Sequence, residues 1–190
     1  MTLQEFIIKT TPIAQSKADL IASYFHEEDF EKNTHLIREG SICRKCYFIQ
    51  SGIIRRYLFN NEGEEITTRF YTGPDFLNDY FSFFRQEPSD EFYQTLTPCK
   101  AWAISLEKVQ YCFHHIPEFR ELGRMLLILN SVEMHKRMIS FHKYDATERY
   151  LQLIEQKPAL IQEVSLKYIA SYLGVTKHSL SRIRRKITPS

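Results

Sequence analysis

Ser165-Leu-Lys-Tyr-Ile-Ala-Ser-Tyr-Leu-Gly-Val-Thr-Lys-His-Ser-Leu-Ser-Arg-Ile-Arg-Arg-Lys186 is the stretch on which the reading of this chain turns. Two short helices that cross closely need a small residue at the crossing and a residue tolerant of left-handed backbone at the turn. They also need apolar residues that lock the second helix across the first. Ala170 meets the first need, Gly174 the second, and Ile169, Leu173, Val175, Leu180 and Ile183 fall where the packing face belongs. Thr176 stands at the N-cap of the second helix. The expectation is a helix-turn-helix whose second helix turns Lys177, His178, Ser181 and Arg182 outward and ends in Arg184, Arg185 and Lys186. Such a helix suits the major groove of double-stranded DNA, where Arg and Lys donate to guanine O6 and N7. Base reading is assigned chiefly to Lys177, His178 and Arg182, while Ser179, Arg185 and Lys186 lie closer to phosphate. A helical hairpin with a merely solvated basic face is the competing reading. It leaves Ala170, Gly174 and Thr176 in register without a reason.

The charge distribution agrees. The formal net charge of the chain is only +2, yet residues 143–190 hold nine Lys and Arg against four acids, which leaves the remainder at −3. A basic module on a mildly acidic body places the phosphate-seeking surface at the end of the chain.

Working back from that module, Asp145 and Thr147 cap a helix over 148–156 that Lys157-Pro158 ends. From Pro117 to about Phe141, Phe119, Leu122, Leu126, Leu129, Val132 and Ile139 recur at helical spacing, which predicts one long helix. Met125, Leu127 and Ile128 add more apolar surface than one neighbour consumes, so a second copy of the helix is a natural partner. A core helix of the same chain is the alternative. Between about Asp29 and Leu106 the pattern shortens to aromatic and β-branched runs at 46–50, 53–59, 66–71 and 100–105. Turn signals separate them at Glu39-Gly40, Ser51-Gly52, Asn60-Asn61-Glu62-Gly63 and Thr72-Gly73-Pro74. This spacing predicts a β-roll or jelly roll. Two short amphipathic segments precede it, the second announced by Ser16-x-x-Asp19 as a capping-box-like start.

With 190 residues, 43% of them hydrophobic, the chain has material for a packed core. The longest apolar stretches, such as 125–129, fall far short of the ~20 residues of a membrane span, and the first nine residues lack the pattern of a secretory signal. A cytoplasmic protein without a membrane partner is expected. Cysteines 43, 46, 99 and 112 are too scattered for a disulfide framework. Cys43-x-x-Cys46 has a spacing that metals use, but no second pair completes a site, so neither a metal nor another cofactor is expected.

Taken whole, the chain resembles the cyclic-AMP receptor protein and fumarate-nitrate regulator (Crp/Fnr) family of bacterial transcription regulators. The resemblance spans nearly the full length and is carried most specifically by Ile169-Ala-Ser-Tyr-Leu-Gly-Val-Thr-Lys-His-Ser-Leu-Ser-Arg-Ile183 and by Tyr47-Phe48-Ile49-Gln50-Ser51-Gly52. It implies an α+β chain: an N-terminal β-roll sensor, jelly-roll and cyclic-nucleotide-binding-like, flanked by helices (1–116), a long dimerisation helix (117–143) and a C-terminal helix-turn-helix DNA-binding domain (144–190). It further implies a homodimer on a two-fold DNA operator, with RNA polymerase as a possible partner, and it puts Lys177, His178 and Arg182 on the base-contacting positions. A small-molecule effector would occupy the roll.

The departures from the family pattern bear on that effector. Cyclic-nucleotide-binding members carry a Gly-Glu-Leu-like segment whose Glu holds the ribose, then an Arg-Ser or Arg-Thr pair whose Arg meets the cyclic phosphate. Here Asn78-Asp79-Tyr80 and Ser89-Asp90-Glu91 occupy those places, with no basic residue for the phosphate, so cyclic AMP is not the expected effector. A degenerate pocket of Phe76, Asn78, Asp79, Tyr80, Ser89 and Asp90 is expected, with Phe81, Phe83 and Phe84 either lining a cavity or simply filling the barrel. The first cysteine lies inside the β region, which speaks against an iron-sulfur cluster, and His35, His114 and His115 are isolated, which speaks against haem. The sequence stops soon after Lys186, so a β-hairpin wing after the second helix is not expected in it. Two rival functions stay open: a sensor and dimerisation module acting through protein partners, and a cupin-like metal enzyme, for which only His35 lies securely in the strand region.

Overall fold

The computed structural model describes residues 1–187. Helices α1 (Leu3–Thr10) and α2 (Gln15–Ala22) lead into strands β1 (His26–Phe30), β2 (His35–Ile37), β3 (Lys45–Ser51), β4 (Ile53–Phe59), β5 (Glu65–Thr72) and β6 (Asp75–Leu77). A short helix α3 (Tyr80–Arg85) precedes β7 (Phe92–Thr95) and β8 (Cys99–Ser105). Then follow α4 (Leu106–His115), α5 (Pro117–Lys143), α6 (Ala146–Gln156), α7 (Pro158–Glu163), α8 (Leu166–Leu173) and α9 (Lys177–Ile187).

The strands form two antiparallel four-stranded sheets, ordered β1-β8-β3-β6 and β2-β7-β4-β5. Phe48, Ile49, Ile54, Tyr71 and Tyr93 share the main core with α1, α2 and α4. A strand turns successive side chains to opposite faces. Ile54 accordingly enters that core, whereas Ile53 joins Phe70 and Leu96 in a second core completed by the C-terminal helices. The turn between β3 and β4 admits only glycine: Gly52 has φ +98°, and a β-carbon there would stand 2.6 Å from the carbonyl oxygen of Pro98.

The outer face of the second sheet carries the C-terminal helices. Ser171 of α8 accepts the Thr67 N–H at 2.8 Å and donates to the Glu65 carbonyl at 3.0 Å. The Arg55 guanidinium lies between the rings of Tyr57 and Tyr168, at 3.9 and 3.7 Å from their centroids, and pairs with Glu65 at 2.8 Å. Phe70 packs on Tyr172, and Lys157 donates to the Phe70 carbonyl. The β-roll and the C-terminal helix pair thus share a packed joint.

The β-roll, the long helix and the C-terminal helix pair stand where the sequence put them, with local corrections. Strand structure begins at His26 rather than near Asp29. The Ser16 start gives way to one at Gln15, with no side-chain cap, so Ser16 lies inside the first turn of α2. A capping box exists instead at Thr2 and Glu5. Asp145 alone caps α6, in a box with Glu148, and Thr147 is already helical. On α5 only Phe119 and Leu122 are buried, while Leu129, Val132 and Ile139 are exposed. Residues 188–190, the end of the predicted C-terminal domain, lie outside the described residues.

Candidate nucleic-acid interface and sensor pocket

Helix α8 ends because Gly174, at φ +69°, reverses the backbone; its N–H bonds to the carbonyls of Ala170 and Ser171, and the Val175 N–H closes back on Ala170 at 3.0 Å. Thr176 then caps α9 by accepting the Ser179 N–H at 3.1 Å. Ala170 is buried at the crossing, and Leu180 anchors α9 across α8 with Ile169 and Leu173. With Leu180, Ile183 and Ile187 turned inward, His178, Ser181, Arg182 and Arg185 recur at i, i+3, i+4 and i+7 on the opposite side. Lys177, His178, Arg182, Arg184, Arg185 and Lys186 are exposed, and no acid occurs on α9. Ser179 and Ser181 are half-buried. The Ser181 hydroxyl donates to the Lys177 carbonyl at 3.0 Å and Ser179 is tied to Thr176, so both hydroxyls are engaged within the helix.

The pocket residues separate into two groups. Phe76, Asn78 and Tyr80 line a narrow apolar cleft of about 60 Å³ with Phe83 and Phe84, between α3 and the α4–α5 pair. Phe81 points away, 49% exposed, with Arg85 over its ring. Asp79 and Ser89 are buried and bonded to each other at 2.5 Å, Asp79 also capping α3 through the Ser82 N–H. Asp90 is exposed and joins neither group.

The sequence reading missed a cation inside the roll. Arg56, opposite Tyr93 in the β4–β7 register, donates to Thr68 at 2.9 Å and pairs with Glu91 at 3.3 Å. Burial opposes its charge, but Tyr71, Tyr93 and Glu91 around it outweigh that and hold it firmly protonated. Burial in turn pushes the Glu91 carboxyl up, against the pull of Arg56. The interior of the roll therefore contains an arginine, already committed to a carboxylate of the same chain. The signal for it was the pair Arg55-Arg56 within a strand, since period two sends one of them inward.

The thiols are inert: burial pushes Cys43 and Cys112 up to about 11 and Cys46 up to about 12. His35 shares a hydrogen bond with Tyr57 at 3.1 Å, and burial lowers its pKa. Among the described residues no three His, Cys, Asp or Glu side chains group as metal ligands, and no helix is long and apolar enough to cross a membrane.

Comparison with known proteins fits this arrangement. The profile of the cyclic nucleotide-binding domain matches residues 27–115. The fumarate and nitrate reduction regulatory protein of Vibrio cholerae is 22% identical over 169 residues, which cover 83% of this chain and 66%, just under two thirds, of that protein. The c-di-GMP-responsive global regulator CLP of Xanthomonas campestris superposes with a TM-score of 0.73 at 17% identity, covering 92% of this chain and 91% of that one. A Crp/Fnr-family regulator structure from Eubacterium rectale gives 0.71 at 15% identity, covering 94% and 87%. Residues 27–115 thus match the cyclic nucleotide-binding domain, and the chain as a whole shares its fold with regulators of the Crp/Fnr family.

Proposed function

We propose that this chain is a bacterial, cytoplasmic transcription regulator that binds double-stranded DNA as a homodimer, each α9 entering one major groove of a two-fold operator. The observation that carries the reading is the acid-free basic stripe of His178, Arg182 and Arg185, held outward by buried Leu180 and flanked by Lys177 and Lys186. The division at 1–116, 117–143 and 144–190 assigns sensing, dimerisation and DNA binding in that order. Leu127, Met134 and Met138 of α5 are each about half exposed, an apolar seam suited to a second copy of the helix. Pairing there would set the two recognition helices about 34 Å apart, one turn of DNA.

Cyclic AMP does not suit the roll. Asp79, Ser89 and Glu91 are satisfied among themselves and Arg56, and a cyclic phosphate would have to displace Glu91 from Arg56 while facing that carboxylate. A small-molecule effector meets mainly the apolar cleft lined by Phe76, Tyr80, Phe83 and Phe84. Its influence on DNA binding equals its differential affinity for the two arrangements of the long helices. RNA polymerase is the further partner that a promoter-bound regulator meets.

The test is selection of bound sequences from random duplex DNA, followed by a mobility shift with salt titration. Recovery of a two-fold-symmetric site whose affinity falls steeply with salt is the expected result. A chain that acts only through protein partners would recover no site.

A further inference from the structure

The corner between α5, α6 and the end of α8 forms a cleft of about 180 Å³ lined largely by polar side chains. Four cations face it, Lys136, Arg137, Arg149 and Lys157, against one carboxylate, Glu133. Glu133 is already spent on Arg69 at 2.6 Å and Lys157 at 3.6 Å. Arg137 and Arg149 bond only to carbonyls: Arg137 to Tyr172 at 2.8 Å, Arg149 to Tyr144 at 2.6 Å and to Leu173 at 3.0 Å. Among the described residues neither has an ion-pair partner, and the buried Nε of Arg149 has no acceptor. Burial also works against the charge of Arg137, lowering its pKa. Guanidiniums withdrawn from water without a counter-charge are costly, and a planar fork of donors matches the oxygens of a phosphate.

We propose that this cleft is a binding site for a small phosphate-bearing anion, held by Lys136, Arg137 and Arg149. The long-helix wall supplies Glu133, Arg137 and Ser140, at i, i+4 and i+7 on one face of α5. The pairing seam of Leu127, Met134 and Met138 lies about a third of a turn round α5 from that wall, so pairing of two long helices leaves the cleft open. The anion would bridge α5 and α6 beside the carbonyl end of α8 and hold the helix-turn-helix at one angle to the long helix. That consequence rests on the DNA-binding reading; binding itself does not.

The experiment is isothermal titration of the full-length protein, without DNA, with sodium pyrophosphate at constant ionic strength. One site per chain is expected, with Kd raised about tenfold or more by Lys136→Glu and by Arg149→Gln. Arg149→Gln also removes bonds to two carbonyls, so Lys136→Glu, on an exposed side chain, decides the matter. Lys143→Glu, exposed on the same helix outside the cleft, is expected to leave Kd within about twofold, as screening over that separation implies. Absence of binding heat, or a Kd unchanged in Lys136→Glu, overturns the proposal. So does loss of binding in Arg185→Ala, which would place the anion on α9.

Discussion

The ring of Phe141, in the last turn of the long helix, lies against Gly174, the turn residue of the helix-turn-helix: a β-carbon at Gly174 would stand 2.9 Å from Cε1 of that ring. The guanidiniums of Arg137 and Arg149 flank the same ring at 4.8 and 4.9 Å from its centroid and donate to the last carbonyls of α8. The long helix therefore grips the turn from which α9 starts. Any change in how the long helix lies is delivered to that turn.

Gly174→Ala meets two penalties, the left-handed backbone at φ +69° and the Phe141 ring. The first costs about 1–2 kcal/mol. Gly40→Ala carries only that part, since Gly40 has φ +79° and open space around it. Chemical denaturation of both variants separates the terms. Gly174→Ala is expected to lose more stability than Gly40→Ala and to speed amide exchange in α8 and α9. Equal losses would mean that Phe141 yields freely and that the grip on the turn is loose.

The joint between sheet and helices depends on a single hydroxyl, because Ser171 satisfies both the Thr67 N–H and the Glu65 carbonyl. Ser171→Ala strands both groups at a cost of about 1–3 kcal/mol. Faster hydrogen exchange in α8 and β5, with β3 and β8 unchanged, is the expected pattern. Uniform acceleration would indicate that the C-terminal helices do not open separately from the roll.

Much of this architecture was legible in the sequence, because the requirements of a helix-turn-helix are local: Ala170, Gly174 and Thr176 each answer one of them within seven residues. Strand runs and turn glycines were legible for the same reason. The inward direction of Arg56 was not. Alternation says that Arg55 and Arg56 face opposite sides, yet both are withdrawn from water, one by the roll and one by helices more than a hundred residues away. On α5, apolar spacing could not distinguish residues that meet their own chain, such as Leu122, from those left bare, such as Val132. The box at Thr2 and Glu5 went unread beside a weaker signal at Ser16.

Asp75, beside Arg69 at the contact of β-roll and long helix, has its carboxyl pushed up to about 6 by burial, ahead of the opposing pull of Arg69. The folded chain then binds this proton more tightly than the unfolded chain, where the value is near 3.8. This contribution to stability is present at low pH and is lost as pH rises through the window from about 4 to about 6. Urea denaturation across that window is expected to show Asp75→Asn gaining on the wild-type chain as pH rises. Parallel curves would assign the proton elsewhere.

Leu127 and Met138 of α5 are 49% and 53% exposed, so charging them costs the single chain little. Sedimentation equilibrium of the Leu127→Glu/Met138→Glu variant is expected to return a monomer with unchanged helix content, against a dimer for the parent chain. A variant that stays dimeric would move the subunit contact off this seam.

The account rests on α9 as the element that meets DNA, and the most direct measurement is the Kd of a selected duplex for the parent chain and for Lys177→Ala/Arg182→Ala across a salt series. The parent is expected to bind with a steep salt slope, and the variant to lose about 1–3 kcal/mol per base contact removed, with a larger loss on the selected duplex than on a scrambled one. Equal losses on both duplexes would reduce the two residues to phosphate contacts. Undiminished binding by the variant, or none by the parent, would contradict the central claim.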